Sequence, residues 1–313
     1  MQDSILDVAG IEVGSSEDQT IRTGCTVVLC KQGATVGVDV RGAAPATRET
    51  DLCRSGNLVS KVHAILLTGG SAFGLDSASG VMRFLWERGI GFDTPATRVP
   101  IVPAAAIYDL NVGRVGWPHS EMAYQACREA TSKTMSRGRV GAGTGATVGK
   151  ILGPKNCTEG GLGSASERVG SFRVGALVVV NALGDVVDPN SGKIIAGPKD
   201  PLTGNFISTE DVLLEGRPST SNEGQNTTLV VVATDAPLSK EQANRLASIS
   251  HDGLARVIRP AHTLVDGDVV FALSTTADNQ VVTTDQMIAL GVGAIRAVER
   301  AILDAVAVKV NHR

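Results

Sequence analysis

A polar run, Gly224-Gln225-Asn226, gives way at Thr227 to an apolar one, Thr228-Leu229-Val230-Val231-Val232-Ala233. A threonine at such a junction has one distinctive chemistry open to it. If the backbone were cut before Thr227, the new chain would begin with a residue carrying both a hydroxyl nucleophile and a free α-amine able to act as its base. That amine titrates at about pH 7–8, close to the ideal for a general base. Without support elsewhere in the chain, Thr227 reads as an ordinary β-branched residue at the start of a strand.

Other candidate chemistries fail on spacing. The glycine-rich stretch Gly138-Arg139-Val140-Gly141-Ala142-Gly143-Thr144-Gly145-Ala146-Thr147-Val148-Gly149-Lys150 is not a phosphate-binding P-loop. Thr144 stands where the first glycine is needed, and Ile151 follows Lys150 in place of Ser or Thr. A dinucleotide fingerprint must open a helix, and Gly149, Gly153 and Pro154 argue against one. By residue type alone Lys150 reads as a solvated lysine. The histidines (His63, His119, His251, His262, His312) form no H-x-x-x-H pair, and the cysteines (Cys25, Cys30, Cys53, Cys127, Cys157) no C-x-x-C. These spacings make no zinc site expected.

Composition narrows the function further. A net charge of −3 gives no basic face for nucleic acid or membrane surfaces, and aromatic residues make up only 3% of the 313. The N-terminus, Met1-Gln2-Asp3-Ser4-Ile5, has no signal-peptide pattern, and no apolar run approaches membrane-span length. Scattered, odd-numbered cysteines fit reduced, mostly buried thiols and a cytoplasmic protein.

The elements that must position Thr227 follow from periodicity. Gly24–Cys30 and Ala34–Val40 read as strands joined hairpin-like through Lys31-Gln32-Gly33. Val62–Leu67 is a strand followed by a helix over about Leu75–Arg88, and Val99–Leu110 is another strand, bent at Pro100 and Pro103. Ser120 is expected to N-cap a short helix to Thr131. Val174–Asn181 is a buried strand that turns into Val186-Val187. The segment 189–226 lacks periodicity and reads as a surface linker or functional loop. After the strand Thr228–Ala233, Ser239 and Gln242 make a capping box for a helix closed by Pro260. Val269–Leu273 is a strand, and Asp285 is expected to N-cap a last helix to about Val306. Strands mixed with amphipathic helices predict α/β layers with the helices outside.

Several segments together carry a family resemblance. They are Val38-Asp39-Val40-Arg41-Gly42, Leu67-Thr68-Gly69-Gly70-Ser71-Ala72-Phe73-Gly74-Leu75, Ile107-Tyr108-Asp109, Gly141-Ala142-Gly143-Thr144-Gly145-Ala146, Val180-Asn181-Ala182-Leu183-Gly184-Asp185, Asn226-Thr227-Thr228, Ala233-Thr234-Asp235 and Asp266-Gly267-Asp268. In order and spacing the chain resembles the self-cleaving L-aminopeptidase/D-esterase and β-aminopeptidase family, the P1 or S58 peptidases, from about residue 5 to 305. Where the peptidase branch usually has Gly-Ser at its cut, this sequence has Asn226-Thr227, like the nylon-oligomer (6-aminohexanoate-oligomer) hydrolase branch.

The resemblance implies a layered αββα sandwich of the N-terminal-nucleophile-hydrolase type, with the strand beginning at Thr227 central. It implies one structural domain over 1–313 that cuts itself at Asn226-Thr227 into an α part, 1–226, and a β part, 227–313. Thr227 becomes the nucleophile. The Asn181 side-chain NH₂ is an oxyanion donor, Lys150 the lysine beside the nucleophile, and Tyr108 a substrate or oxyanion contact. Asp266 and Asp268 are the acids that orient the threonine and hold an ammonium. The implied activity is hydrolysis of 6-aminohexanoate-type oligomers or related amino-terminal amides through an acyl-enzyme, without cofactor, by a homo-oligomer, commonly a tetramer of αβ units. The alternatives are an aminopeptidase acting on short peptides and an acyltransferase of the ornithine acetyltransferase type, which also cuts itself before Thr.

Overall fold

The computed structural model describes residues 2–216, 226–276 and 282–307. Its frame is a nine-stranded mixed sheet built from β1 (Glu12–Asp18), β2 (Thr23–Val40), β3 (Ala46–Arg48), β4 (Lys61–Thr68), β5 (Ala104–Ala106), β6 (Gly161–Val169), β7 (Phe172–Asn181), β8 (Thr227–Thr234) and β9 (Val269–Ser274). The strand order is β6-β7-β8-β9-β2-β4-β5-β3, with β1 paired to β2. Only β8–β9 and β4–β5 run parallel.

Strand alternation divides this sheet into layers. Val174, Ala176, Val178, Val230, Val232, Val270 and Ala272 face α3 (Lys240–Val257) and α4 (Thr284–Ala307). Their in-between neighbours Leu177, Val179, Leu229, Val231, Val269, Phe271 and Leu273 face a central core. That core is closed from the opposite side by Val28, Ile65, Leu67 and Ala105. Beyond them, Cys25, Val27, Leu29, Ala64 and Leu66 pack on α1 (Ala78–Trp86) and α2 (Ser120–Glu129). The result is helix, sheet, sheet, helix, as expected, with β2 passing between the two sheet layers. Its first half backs onto α1 and α2. Its second half lies so close to α3 that a Cβ on Gly37 would come 2.2 Å from the Ala243 carbonyl carbon, which excludes any side chain there. Each Val or Leu buried on these faces contributes roughly 1.5–3 kcal/mol.

The predicted hairpin at Lys31-Gln32-Gly33 is absent, because β2 is one 18-residue strand. Leu29 pairs with Ala64 and Ala34 with Val62, so Cys30–Gly33 stand opposite the single residue His63 as a bulge. The polar run marks this bulge, and the chain does not reverse there. The expected strand Val99–Leu110 shrinks to Arg98–Val99 and Ala104–Ala106, since Pro100 and Pro103 have no N–H to pair. The helix after β4 forms in three pieces, Ser71–Gly74, Leu75–Ser77 (3₁₀) and α1.

Two N-caps shift. His119, not Ser120, precedes α2, and it makes no side-chain cap. Thr283 and Gln286 form reciprocal bonds at the start of α4, so Asp285 lies in its first turn. The Ser239–Gln242 capping box of α3 forms as expected.

The segment 189–226 is not structureless. It holds a strand, Ile194–Ala196, and a helix, Thr209–Leu214, whose cap Ser208 accepts from the Asp211 N–H. Buried Asp185 accepts from the Thr209 N–H (2.8 Å), tying that helix to the short strand Asp185–Val187 that follows β7. Residues 217–225 of that expected loop lie outside the described residues. All five cysteines are unpaired, and only Cys157 is not buried. Among the described residues no helix is long and apolar enough to cross a membrane.

Candidate active site

The start of β8 has a different neighbour on each flank. On one side Thr227 pairs with Asn181, the last residue of β7. On the other lies the turn Asp266-Gly267-Asp268 that leads into β9, and Asn226 bridges to Asp266. Backbone bonds clamp the turn from outside: Ala44 N–H donates to Asp266 O (2.9 Å), and Arg41 N–H to Asp268 O (3.1 Å). This explains why the Val38–Gly42 segment belongs with the site residues. Asn226 and Thr227 are both buried.

The Thr227 hydroxyl donates to the carbonyl oxygen of Asn226, the residue before it. That same oxygen accepts the Gly267 N–H at 2.8 Å. The hydroxyl thus lies beside the preceding peptide, whose carbonyl oxygen has a backbone donor on it. A Cβ on Gly267 would fall 2.8 Å from Thr227 Oγ1 and 2.7 Å from Ala44 O. Only glycine leaves the hydroxyl its place.

Lys150 is not solvated. It is 8% exposed, in a single 3₁₀ turn, Lys150–Leu152, and its N–H is tied to Leu183 O (3.1 Å). Its Nζ donates to Asn181 Oδ1 (2.7 Å) and Asn181 O (2.9 Å). Burial pulls the ammonium down to about 7, against the opposing charges of Asp266, Cys157, Asp109 and Asp268. Lys150 can therefore exchange a proton near neutrality.

The Asn181 amide is turned by these donors. Its Oδ1 accepts from Lys150 and from the Thr147 N–H (3.1 Å), and its NH₂ donates to the Tyr108 carbonyl (3.2 Å). The NH₂ expected to serve as an oxyanion donor gives one of its two N–H groups to Tyr108, which enters the cluster through its main chain. The Asn181 Oδ1 holds the Lys150 ammonium.

The two acids differ. Asp268 Oδ1 accepts the Thr228 N–H at 2.6 Å, so it holds the peptide that follows Thr227. Its Oδ2 accepts from His262 Nδ1 (2.8 Å) and the His262 N–H (3.1 Å). Asp266 Oδ2 accepts from Thr263 Oγ1 (2.5 Å) and the Thr263 N–H (3.0 Å). Burial, followed by the charge of Asp268, raises the Asp266 pKa above the usual carboxylate range.

Sequence reasoning missed three participants. Gly267 is marked in the sequence only as the middle of the Asp266-Gly267-Asp268 motif. His262 carried no spacing signal. Asp109, quoted only within a motif, is buried, accepts from Thr23 Oγ1 (2.6 Å) and the Gly70 N–H (2.7 Å), and is pushed up to about 6 by burial. It fixes the loop after β4 and adds negative charge near Lys150. Its place directly after Tyr108 in the Ile107-Tyr108-Asp109 motif was the available signal.

The buried lysine has a thermodynamic signature. Its folded pKa of about 7 lies below the unfolded value of 10.5. Between these values the unfolded chain binds the extra proton, so Lys150 makes stability rise with pH. In a Thr227→Ala background, urea unfolding at pH 7, 8 and 9 is expected to show a slope of up to ~1.4 kcal/mol per pH unit from this residue. Adding Lys150→Met removes that slope, and parallel stability–pH curves for the two proteins would refute the assignment.

Known proteins resemble this chain over most of its length. The profile of Peptidase family S58 matches residues 3–311. An uncharacterized aminopeptidase of Mycobacterium leprae is 42% identical over 305 residues, covering 92% of this chain and 82% of the relative. A 6-aminohexanoate-oligomer endohydrolase of Kocuria sp. is 33% identical over 275 residues, 86% of this chain and 74% of the relative. The solved β-aminopeptidase of a Burkholderia sp. superposes with a TM-score of 0.70 at 25% identity, covering 97% of this chain and 86% of that one. The L-aminopeptidase D-Ala-esterase/amidase of Ochrobactrum anthropi, described as a variant of the Ntn hydrolase fold, gives 0.74 at 20% identity over 97% and 85%, a likeness of fold. A match over nearly the whole chain, on the fold these enzymes share, means that the protein belongs to peptidase family S58 and is a hydrolase of amide or peptide bonds.

Proposed function

We propose that this chain cuts itself between Asn226 and Thr227 and then works as an N-terminal-threonine amide hydrolase. The observation that carries the proposal is the contact of the Thr227 hydroxyl with the Asn226 carbonyl, whose oxygen also takes the Gly267 N–H. In the precursor, Thr227 Oγ1 adds to the Asn226 carbonyl carbon. The C–N bond breaks, the Thr227 nitrogen takes a proton, and an ester joins Asn226 to Thr227. Water opens the ester, leaving the Asn226 carboxylate and a free α-amine on Thr227. In the mature enzyme this amine accepts the hydroxyl proton as Oγ1 attacks a substrate amide. The leaving amine departs protonated, and water releases the acyl group from Thr227.

Lys150, held by Asn181, supplies positive charge beside Thr227. Asp268 fixes the Thr227–Thr228 peptide, and Asp266 with Asp268 offers negative charge to a substrate ammonium. This supports linear amides with a free amino end, a class that includes 6-aminohexanoate oligomers and short peptides. The oligomer chemistry follows the Asn-Thr junction and the Kocuria relative. The aminopeptidase reading is favoured by the higher identity of the mycobacterial relative. We place the enzyme in the cytoplasm as an oligomer of αβ units.

Intact mass and a substrate panel test the proposal. The purified protein is expected to give two species of about 23 and about 9 kDa, the shares of 1–226 and 227–313 in a 32.3 kDa chain. A fully active but uncut chain would overturn it. Preferential acyl transfer to an added amine over water would replace hydrolysis with the acyltransferase alternative.

A further inference from the structure

We infer that His262, seated against His251, is a positioning residue for Asp268 and, through Asp268, for the first peptide of the strand that begins at Thr227. The inference rests on the reading of Thr227 as nucleophile given above. Three bonds converge on the Asp268 carboxylate: Thr228 N–H at 2.6 Å on one oxygen, His262 Nδ1 at 2.8 Å and His262 N–H at 3.1 Å on the other. The Thr228 bond alone would leave the carboxylate free to swing about it. The His262 pair fixes its plane.

His262 pays for this geometry in backbone strain. Its φ is +58°, in the left-handed region that residues other than Gly, Asn and Asp rarely enter. That turn is what lets one residue present both its N–H and its ring to the same carboxylate oxygen. Behind it lies His251 on α3, fully buried, its ring 4.7 Å from that of His262 and at 75° to it.

His251 Nε2 bonds the Asp39 carbonyl (3.1 Å), an acceptor only, so Nε2 carries the hydrogen. Burial drives the His251 pKa down, so the ring is neutral. Among the described residues, neither His251 Nδ1 nor His262 Nε2 finds a partner. The chain of contacts runs from the Asp39 carbonyl through His251 and His262 to Asp268 and Thr228. The other charged groups that influence these residues are Asp266 and Lys150 around Asp268, and Asp39 and Arg41 around His251.

His262→Gly and His262→Asn test this. Both residues accept a φ of +58° and keep the backbone donor. Only Asn restores a side-chain N–H for Asp268. For His262→Gly, kcat is expected to fall about 10- to 100-fold with KM nearly unchanged, the range for losing a hydrogen bond to a charged group. His262→Asn recovers most of the lost kcat. Wild-type kcat in the Gly variant overturns the inference. So does equal impairment of the two variants, which is the mark of a purely structural role. Thr227→Ala is measured alongside. If it remains active, the nucleophile reading falls and takes this inference with it. If it is inactive while His262→Gly behaves as wild type, only this inference falls.

Discussion

Thr227→Ala is expected to persist as a single 32.3 kDa chain on a denaturing gel and to lose amide hydrolysis by at least about 10³-fold. Alanine keeps the backbone of β8, where Thr227 pairs with Asn181, so the layers around it stay in place. What disappears is the hydroxyl that lies on the Asn226 carbonyl. Two losses then follow from one atom. The peptide bond before residue 227 has no internal nucleophile, so no α-amine is released, and the site lacks both attacking oxygen and base.

Thr227→Ser separates these losses from a folding defect. It keeps the hydroxyl and is expected to process and to turn over more slowly, because serine lacks the branched Cβ that restricts χ1 in threonine. Intact mass over several days, with release of amine from a 6-aminohexanoate dimer or a short peptide, checks both. An uncut Thr227→Ala that still hydrolyses amides would show that the nucleophile lies elsewhere.

The parts of this protein that could be read from its sequence are those whose determinants are local. β8 and α3 were legible because alternation and a capping box are written into consecutive residues. The continuity of β2 was not, because Lys31-Gln32-Gly33 looks the same in a turn as in a bulge. What distinguishes them is the partner strand, which holds a single residue, His63, opposite Cys30–Gly33. The helix at Thr209–Leu214 was missed for a related reason. It is short, and its anchor, Asp185, comes from the end of the β7 turn.

The site divides the same way. Thr227, Asn181 and the Asp266–Asp268 pair sit at strand ends and in a turn, and a resemblance in motif order was enough to mark them. The burial of Lys150 was invisible, because a lysine carries the same sequence signal whether solvated or enclosed. Which way the Asn181 amide turns depends on Lys150 and on the Thr147 N–H. His262 acts through a ring on another element, and Gly267 through an atom it lacks. Neither leaves a pattern in the chain.

Gly267→Ala carries the second large effect. The position does not require a left-handed backbone, so alanine is acceptable to the chain itself. The obstacle is steric. The new methyl would lie 2.8 Å from Thr227 Oγ1, 2.7 Å from Ala44 O and 3.0 Å from Pro45 Cα. Ala44 is tied to Asp266 O through its N–H, so the carbonyl side yields little. The hydroxyl is the softer neighbour and must rotate or retreat. Displacing a reacting atom by ~1 Å costs on the order of 10²-fold in rate, and any shift of the Gly267 N–H from the Asn226 carbonyl adds to it. Self-cleavage of Gly267→Ala is therefore expected to slow at least about 100-fold, with kcat of any processed fraction reduced alongside and far-ultraviolet circular dichroism unchanged. Combining it with Thr227→Ser gives the sharper reading. Without the Cγ2 methyl the hydroxyl can turn away from the added Cβ, so the double variant is expected to process faster than Gly267→Ala alone. Cleavage of Gly267→Ala at the wild-type rate would mean that the Thr227 hydroxyl reacts from a different rotamer, out of contact with the turn.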